Sequence, residues 1–128
     1  MKFLCLGYFD PEKMNALPKA EMDAVMAECR PHMEKLYATG RVILDAGLGD
    51  EAKYVRRVKG TRSITDGPFT EAKEMLGGTF LIEAADMEEA VRLASLHPTT
   101  QVGAGERLGW RLEIRPIHYF EMPRSEGR

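Results

Sequence analysis

The run Asp66-Gly67-Pro68-Phe69-Thr70-Glu71-Ala72-Lys73-Glu74 gathers Asp66, Glu71, Lys73 and Glu74 around a single turn. Gly67 is free to take a positive φ, Pro68 fixes its own φ near −65°, and the residue before a proline is pushed away from helix. Asp66 can accept hydrogen bonds from backbone N–H groups just ahead of it, as in an Asx-turn. A rigid turn that presents two kinds of charge at one place could hold a polar ligand. A solvated charged loop would carry the same residues.

Three histidines can move protons near neutral pH: His32, His97 and His118. His32 falls on a helix expected between Pro18 and Gly40, about 80° from the centre of its apolar stripe at 100° per residue, so it borders the core. His97 falls at the end of a second helix, where an imidazolium is favoured by the helix dipole. His32 and His97 with Asp66 or Glu71 could ligate a divalent metal, but no H-x-x-x-H spacing supports it, and no metal is expected. No phosphate-cradling glycine fingerprint and no activated-serine motif occurs. Cys5 and Cys29 lack C-x-x-C spacing and lie in expected core elements, which points to reduced packing residues rather than nucleophiles. No cofactor is expected.

The elements that would position these residues follow from periodicity and turn chemistry. Lys2–Phe9 reads as a strand apolar on both faces, hence central. Asp10–Leu17 reads as a loop. Pro18 opens a helix whose stripe comprises Met22, Val25, Met26, Cys29, Met33, Leu36 and Tyr37, kinked at Pro31 and ended by Gly40. Arg41–Leu48 is a strand. Lys53–Lys59 and Arg62–Asp66 form a hairpin joined at Gly60-Thr61. Gly77-Gly78 opens a strand over Thr79–Ala84. Asp86-Met87-Glu88-Glu89 is a capping box for a second helix that runs to about Leu96 and stops at Pro98. Thr99–Arg107 reads as a loop and Leu108–Arg115 as the last strand. Two β-α-β units around one antiparallel sheet make a ferredoxin-like α+β sandwich. Both helices cover one face. The two-sided apolar first strand then requires a second copy on the other face, which makes a homodimer and a dimeric α/β barrel.

The turn also resembles the signature of the DGPF branch of the YCII-related family: Asp66-Gly67-Pro68-Phe69, Glu71, Lys73-Glu74, then Gly77-Gly78 and Phe80. The likeness extends over about residues 1–118. It implies the same dimeric α/β barrel, and it implies an active-site role for His32, because Arg30-Pro31-His32-Met33-Glu34-Lys35-Leu36 is similar to the wider family's H-x-x-x-L stretch. In that family the histidine pairs with an Asp in a D-P context near the end of the second helix. Here Pro98 matches but His97 precedes it, so either Asp66 or Glu71 supplies the acid, or the acid–base pair is lost. The reading is a cleft for a small polar or aromatic molecule beside His32. Asp66 or Glu71 would be its partner, Lys73, Glu74 and His97 would contact the ligand, and acid–base, lyase-like chemistry is possible. The same branch also resembles domains associated with sigma factors, which leaves open a non-catalytic regulatory module.

At 128 residues with a net charge of −2, the chain has the size of one domain, expected over 1–122 with a disordered tail at 123–128, and its charge argues against a nucleic-acid surface. The basic residues Arg56 and Arg57 would point to opposite faces of a strand. The Phe3–Phe9 run is far shorter than a membrane span and lacks a cleavage site, so no membrane partner and a cytoplasmic location are expected.

Overall fold

The computed structural model describes residues 1–69 and 72–124. Its elements in chain order are β1 (Lys2–Phe9), α1 (Pro11–Asn15), α2 (Lys19–Ala38), β2 (Val42–Gly47), β3 (Ala52–Val58), β4 (Thr61–Gly67), β5 (Met75–Glu83), α3 (Met87–Ala94), α4 (Pro98–Gln101), α5 (Ala104–Leu108) and β6 (Arg111–Pro116). Four strands form one antiparallel sheet in the order β2-β5-β1-β6, and β3-β4 form a separate two-stranded sheet. The fold is therefore α+β with antiparallel sheets. Its order, with the first and third strands of the two β-α-β halves in the middle, is consistent with the ferredoxin-like expectation. β1 is central, as its two-sided apolar pattern requires.

The period of two in β1 sorts its side chains. Phe3 and Cys5 join Phe80 and Ile82 of β5 under α2 and α3, in a cluster with Leu36, Ala84, Ala90 and Ala94. The opposite face carries Leu4, Leu6 and Tyr8 of β1, half-buried, Leu81 of β5, 2% exposed, and Leu44 of β2, 47% exposed. Among the described residues no helix covers that face. A second cluster lies beyond the first on the helix side: Val25, Val102 and Leu108, with Met14, Leu17, Cys29, Ala104 and Trp110 packed against them. Trp110 donates its indole N–H toward Met14 Sδ at 3.3 Å.

Several local expectations change. Asp10–Leu17 is not all loop. Asp10 accepts the Lys13 N–H at 3.2 Å and Pro11 occupies the first turn, so Pro11–Asn15 forms α1. Thr99–Arg107 likewise folds into α4 and α5, and the last strand starts at Arg111 instead of Leu108. β5 begins at Met75, so Gly77 and Gly78 lie inside it and not at its start. The stripe of α2 is narrower than the apolar pattern: Val25 and Leu36 are buried while Met26 and Tyr37 are exposed. The helix runs unbroken through Pro31 and ends before Gly40, which takes φ +70°. The Asp86 box forms, with Asp86 accepting the Glu89 N–H at 2.8 Å, but Glu89 reaches one residue further back, to the Ala85 N–H, and also holds Arg41 at 2.7 Å.

The hairpin turn falls at Lys59-Gly60, one residue earlier than the sequence pattern indicates. Both residues have positive φ, +49° and +82°, as the tightest hairpin turns demand. Arg56 and Arg57 do face opposite sides, opposite Ser63 and Arg62 respectively. Gly67 is required for a reason other than a positive φ, because its φ is not in the left-handed region. A Cβ there would overlap the ring of Tyr54, whose Cζ would lie 2.6 Å away. Phe69 stacks on that same ring with centroids 4.5 Å apart, which pins the turn after Pro68.

Candidate functional site

The core is two clusters, and the chain crosses between them at characteristic residues. On β1 the cluster member Cys5 is followed on the same face by Gly7, and on β5 Phe80 is preceded by Gly78. Gly78 pairs with Gly7 on one side and Gly47 of β2 on the other, so three neighbouring strands present a row without side chains. At Gly47 nothing lies within 4 Å of where a Cβ would stand. On α2, Cys29 belongs to the second cluster and Leu36 to the first. His32 lies between them, one turn before Leu36, and is half-buried. It stands about 30° from the line through Val25 and Leu36 at 100° per residue, nearer the sheet-facing side than the apolar stripe alone indicates. Ala94 belongs to the first cluster and Val102 to the second, and His97 lies between those. Along the chain both histidines fall between members of the two clusters, and the glycine row adjoins the first cluster on the sheet.

His97 has a defined environment. Its ring stacks on the buried Phe80, with centroids 4.8 Å apart and planes 4° from parallel. Its Nδ1 accepts the Thr99 N–H at 3.1 Å and so caps α4. An acceptor Nδ1 places the proton of the neutral ring on Nε2. Burial pushes the His97 pKa below its ordinary value, while the charge of Asp45 opposes that shift. The expectation of a helix-stabilised imidazolium is thus corrected. The side chain serves the start of α4 as an acceptor, and protonating Nδ1 would cost the cap.

Asp45 is a carboxylate near His97 that no sequence motif marks. It sits on β2 directly beside Phe80 in register, on the helix face. It accepts the hydroxyl of Tyr37 from α2, and this bond raises the Tyr37 pKa. Tyr37, Asp45 and His97 come from a helix, an edge strand and an interhelical turn. The Tyr37–Asp45 hydrogen bond, the register Asp45 to Phe80 and the stack of Phe80 on His97 link them through the Phe80 ring, and no local spacing announces it.

The turn residues are placed elsewhere. Asp66 pairs with Lys53, its cross-strand partner, and among the described residues it closes no Asx-turn. Lys73 is exposed, and Glu71 lies outside the described residues. Glu74 forms a two-point ion pair with Arg111, one contact being 3.0 Å, and this pair holds the Glu74 carboxyl below its usual range. The Arg111 guanidinium lies 4.3 Å from the centre of the Tyr8 ring, on the face away from the helices. The sheet therefore stands between Glu74 and His32. Among the described residues, no hydrogen bond or ion pair joins His32 to Asp66, Lys73 or Glu74. A cleft of about 420 Å³ opens one residue past Gly47, between the sheet end and the turn, lined by Leu48, Tyr54, Pro68, Met75, Leu76 and the carboxylate residue Glu74. Cys5 is an inert thiol, pushed up to about 12 by burial. Among the described residues no group of three or more His, Cys, Asp or Glu side chains is arranged to hold a metal ion, and no helix is long and apolar enough to cross a membrane.

An α+β chain with an antiparallel four-stranded sheet, helices on one face and two histidines at a break in its core defines a recognisable class. The chain belongs to the YCII-related domain family, which it matches over residues 1–110. It is 30% identical to an uncharacterized protein of Rhizobium meliloti (strain 1021) over 94% of this chain and 95% of that one. Its fold is similar to that of 5-chloro-2-hydroxyhydroquinone dehydrochlorinase from Burkholderia phenoliruptrix AC1100, solved in complex with 2,5-dihydroxybenzoquinone. The likeness has a TM-score of 0.50 at 17% identity, covering 94% of this chain and 96% of that one.

Proposed function

We propose that the chain binds a small polar or aromatic molecule where its two core clusters part, and performs acid–base, lyase-like chemistry on it. The observation that carries this reading is the buried Phe80 ring, which stacks on His97 and lies in register with the Tyr37-bonded Asp45, one same-face step from the glycine row. Glycines leave room for a flat ligand to approach backbone. His97, neutral and protonated on Nε2, donates a hydrogen bond to a ligand oxygen as negative charge develops there. His32 exchanges the proton with the ligand, and the Asp45 carboxylate supports the positive charge that appears. Asp45 thus takes the part that the D-P aspartate has elsewhere in the family, since Asp66 is engaged with Lys53. The dehydrochlorinase of similar fold holds a small oxygenated ring compound, which supports the same class of ligand here.

A thermal-shift screen of small phenols, quinones and carboxylates tests this. Ligands that raise the wild-type Tm should lose that effect in His32→Ala, His97→Asn and Asp45→Asn, each of which keeps its unliganded fold by circular dichroism. A hit whose shift survives all three substitutions overturns the site.

The same reading includes a homodimer through the uncovered sheet face. Leu4, Leu6 and Tyr8 of the central strand and the exposed Leu44 support it, since an apolar sheet face without a helix over it is suited to association. Light scattering at micromolar concentration should give twice the chain mass. A monomer there removes the dimer.

A further inference from the structure

The β3-β4 hairpin stands apart. Its strands pair with each other and with no strand of the main sheet, and neither packs against any other helix or strand to more than a marginal extent. An isolated two-stranded hairpin is marginally stable in water. One of its faces carries Lys53 and Asp66, then Val55 opposite Ile64, then Arg57 opposite Arg62. Val55 is 60% and Ile64 54% exposed. Two like charges placed directly opposite are unfavourable unless something answers them. A shallow depression of about 290 Å³ lined by Val55, Arg56, Arg57 and Arg62 offers cations beside an apolar floor.

The charge of this hairpin opposes that of the rest of the chain. Residues 52–67 hold five basic side chains, Lys53, Arg56, Arg57, Lys59 and Arg62, and one acid, Asp66, for a net +4. The whole chain is −2, so the remainder carries −6. A second copy is therefore complementary to the hairpin. Position agrees. The hairpin leaves from the end of β2 and returns to β5, adjacent strands of the uncovered sheet face. At the far end of that face the segment after β6 folds back, placing Phe120 against Lys2 Nζ at 5.2 Å from the ring centre. The uncovered face is bounded by a projection at each end.

We infer that β3-β4 is a clamp arm that grips a second copy of this chain, with Val55 and Ile64 packing on the partner and Arg57 and Arg62 meeting its acids. This rests on the homodimer proposed above. Magnitudes fix the arm's share. Seven residues per strand make an arm about 23 Å long and roughly 10 Å wide. Two such faces and their acceptors bury about 900 Å², short of the roughly 1,200–2,000 Å² of stable interfaces. The sheet face must supply the rest, and arm substitutions weaken the dimer rather than abolish it.

The test uses the full chain in three arms. A photo-crosslinking benzoylphenylalanine at position 64 should give a covalent dimer on irradiation. The double variant Val55→Asp/Ile64→Asp should raise the dimer Kd at least tenfold by sedimentation, with an unchanged circular dichroism spectrum. Arg57→Glu/Arg62→Glu should weaken the dimer similarly and reduce its sensitivity to salt. A wild-type monomer overturns the homodimer and the clamp together. A dimer that yields no intermolecular crosslink, and whose Kd is unmoved by both double variants, overturns the clamp alone. Retention of duplex DNA, lost in Arg57→Glu/Arg62→Glu while the dimer Kd is untouched, assigns the arm to nucleic acid and likewise overturns it.

Discussion

The four-stranded sheet and the β3-β4 arm are both antiparallel, yet they are held by different things. In the sheet, Ile82 is 0% exposed and sits among Phe3, Cys5 and Phe80 under two helices. A slip of one residue would turn that whole set to the other face, so burial fixes its register. In the arm, Ile64 is 54% exposed and its register rests on the Lys59-Gly60 turn and on cross-strand pairs such as Lys53 with Asp66. The sheet owes its order to its own chain, whereas the arm has order in excess of what its own contacts explain.

The same substitution in both regions gives the largest contrast. Ile82→Ala should lower stability by about 2–5 kcal/mol, as fully buried aliphatic truncations do. Ile64→Ala should change it by less than about 0.5 kcal/mol. Urea denaturation, at concentrations dilute enough to leave single chains, measures both. Equal losses would mean that the arm has a core of its own.

The base of the arm is the exception within it. Gly67→Val should cost about 1–3 kcal/mol, because a side chain there displaces Tyr54 and breaks its stack on Phe69. Adding Tyr54→Ala should recover much of that loss in a thermal-denaturation cycle. A penalty that survives Tyr54→Ala would place the cause in the backbone instead.

His97 should give a smaller, pH-dependent effect at the seam. Its folded pKa lies below the unfolded value near 6.5, so the unfolded chain takes up the proton first. Its contribution is complete above pH 6.5 and is lost as pH falls from there through the folded pKa. The slope is at most about 1.4 kcal/mol per pH unit for one proton. Asn in place of His97 keeps a capping oxygen and removes the titration, so the variant's stability should be flatter from pH 6.5 to 5. The carboxylates Glu74, Glu83 and Glu89 are held below their usual range by cations, so the larger part of their contribution is lost in more acid solution.

The smallest effect belongs to the exposed Glu74–Arg111 pair. Glu74→Gln should leave the urea midpoint unchanged at physiological salt, because solvent and salt screen such a contact. A large loss would show that this residue of the turn does structural duty on the uncovered face.

What the sequence made legible was local or periodic. β1 is found at the residues its apolar run marks, Asp86 caps α3, and Gly40 stops α2. The short helices were hidden because four or five residues carry less than two turns of periodicity, although Asp10-Pro11 did hold the signal for α1. His32 was legible as a border residue. The Tyr37–Asp45–His97 group was not, since a helix-to-strand hydrogen bond, strand register and an aromatic stack link its members. The apparent purpose of Gly67 also misled. The dipeptide Gly-Pro suggests a backbone requirement, and the real constraint is a tyrosine thirteen positions earlier on the paired strand.

The lone tryptophan gives the molecule an optical consequence. Trp110 belongs to the second cluster, with its indole against Met14 on α1, and no other indole competes with its emission. A compound that wedges the two clusters apart would wet that ring and move its fluorescence to the red, whereas swinging the distant hairpin would leave the spectrum silent. The protein thus carries an intrinsic dye that distinguishes occupancy of its interior seam from events at its periphery, with no label attached.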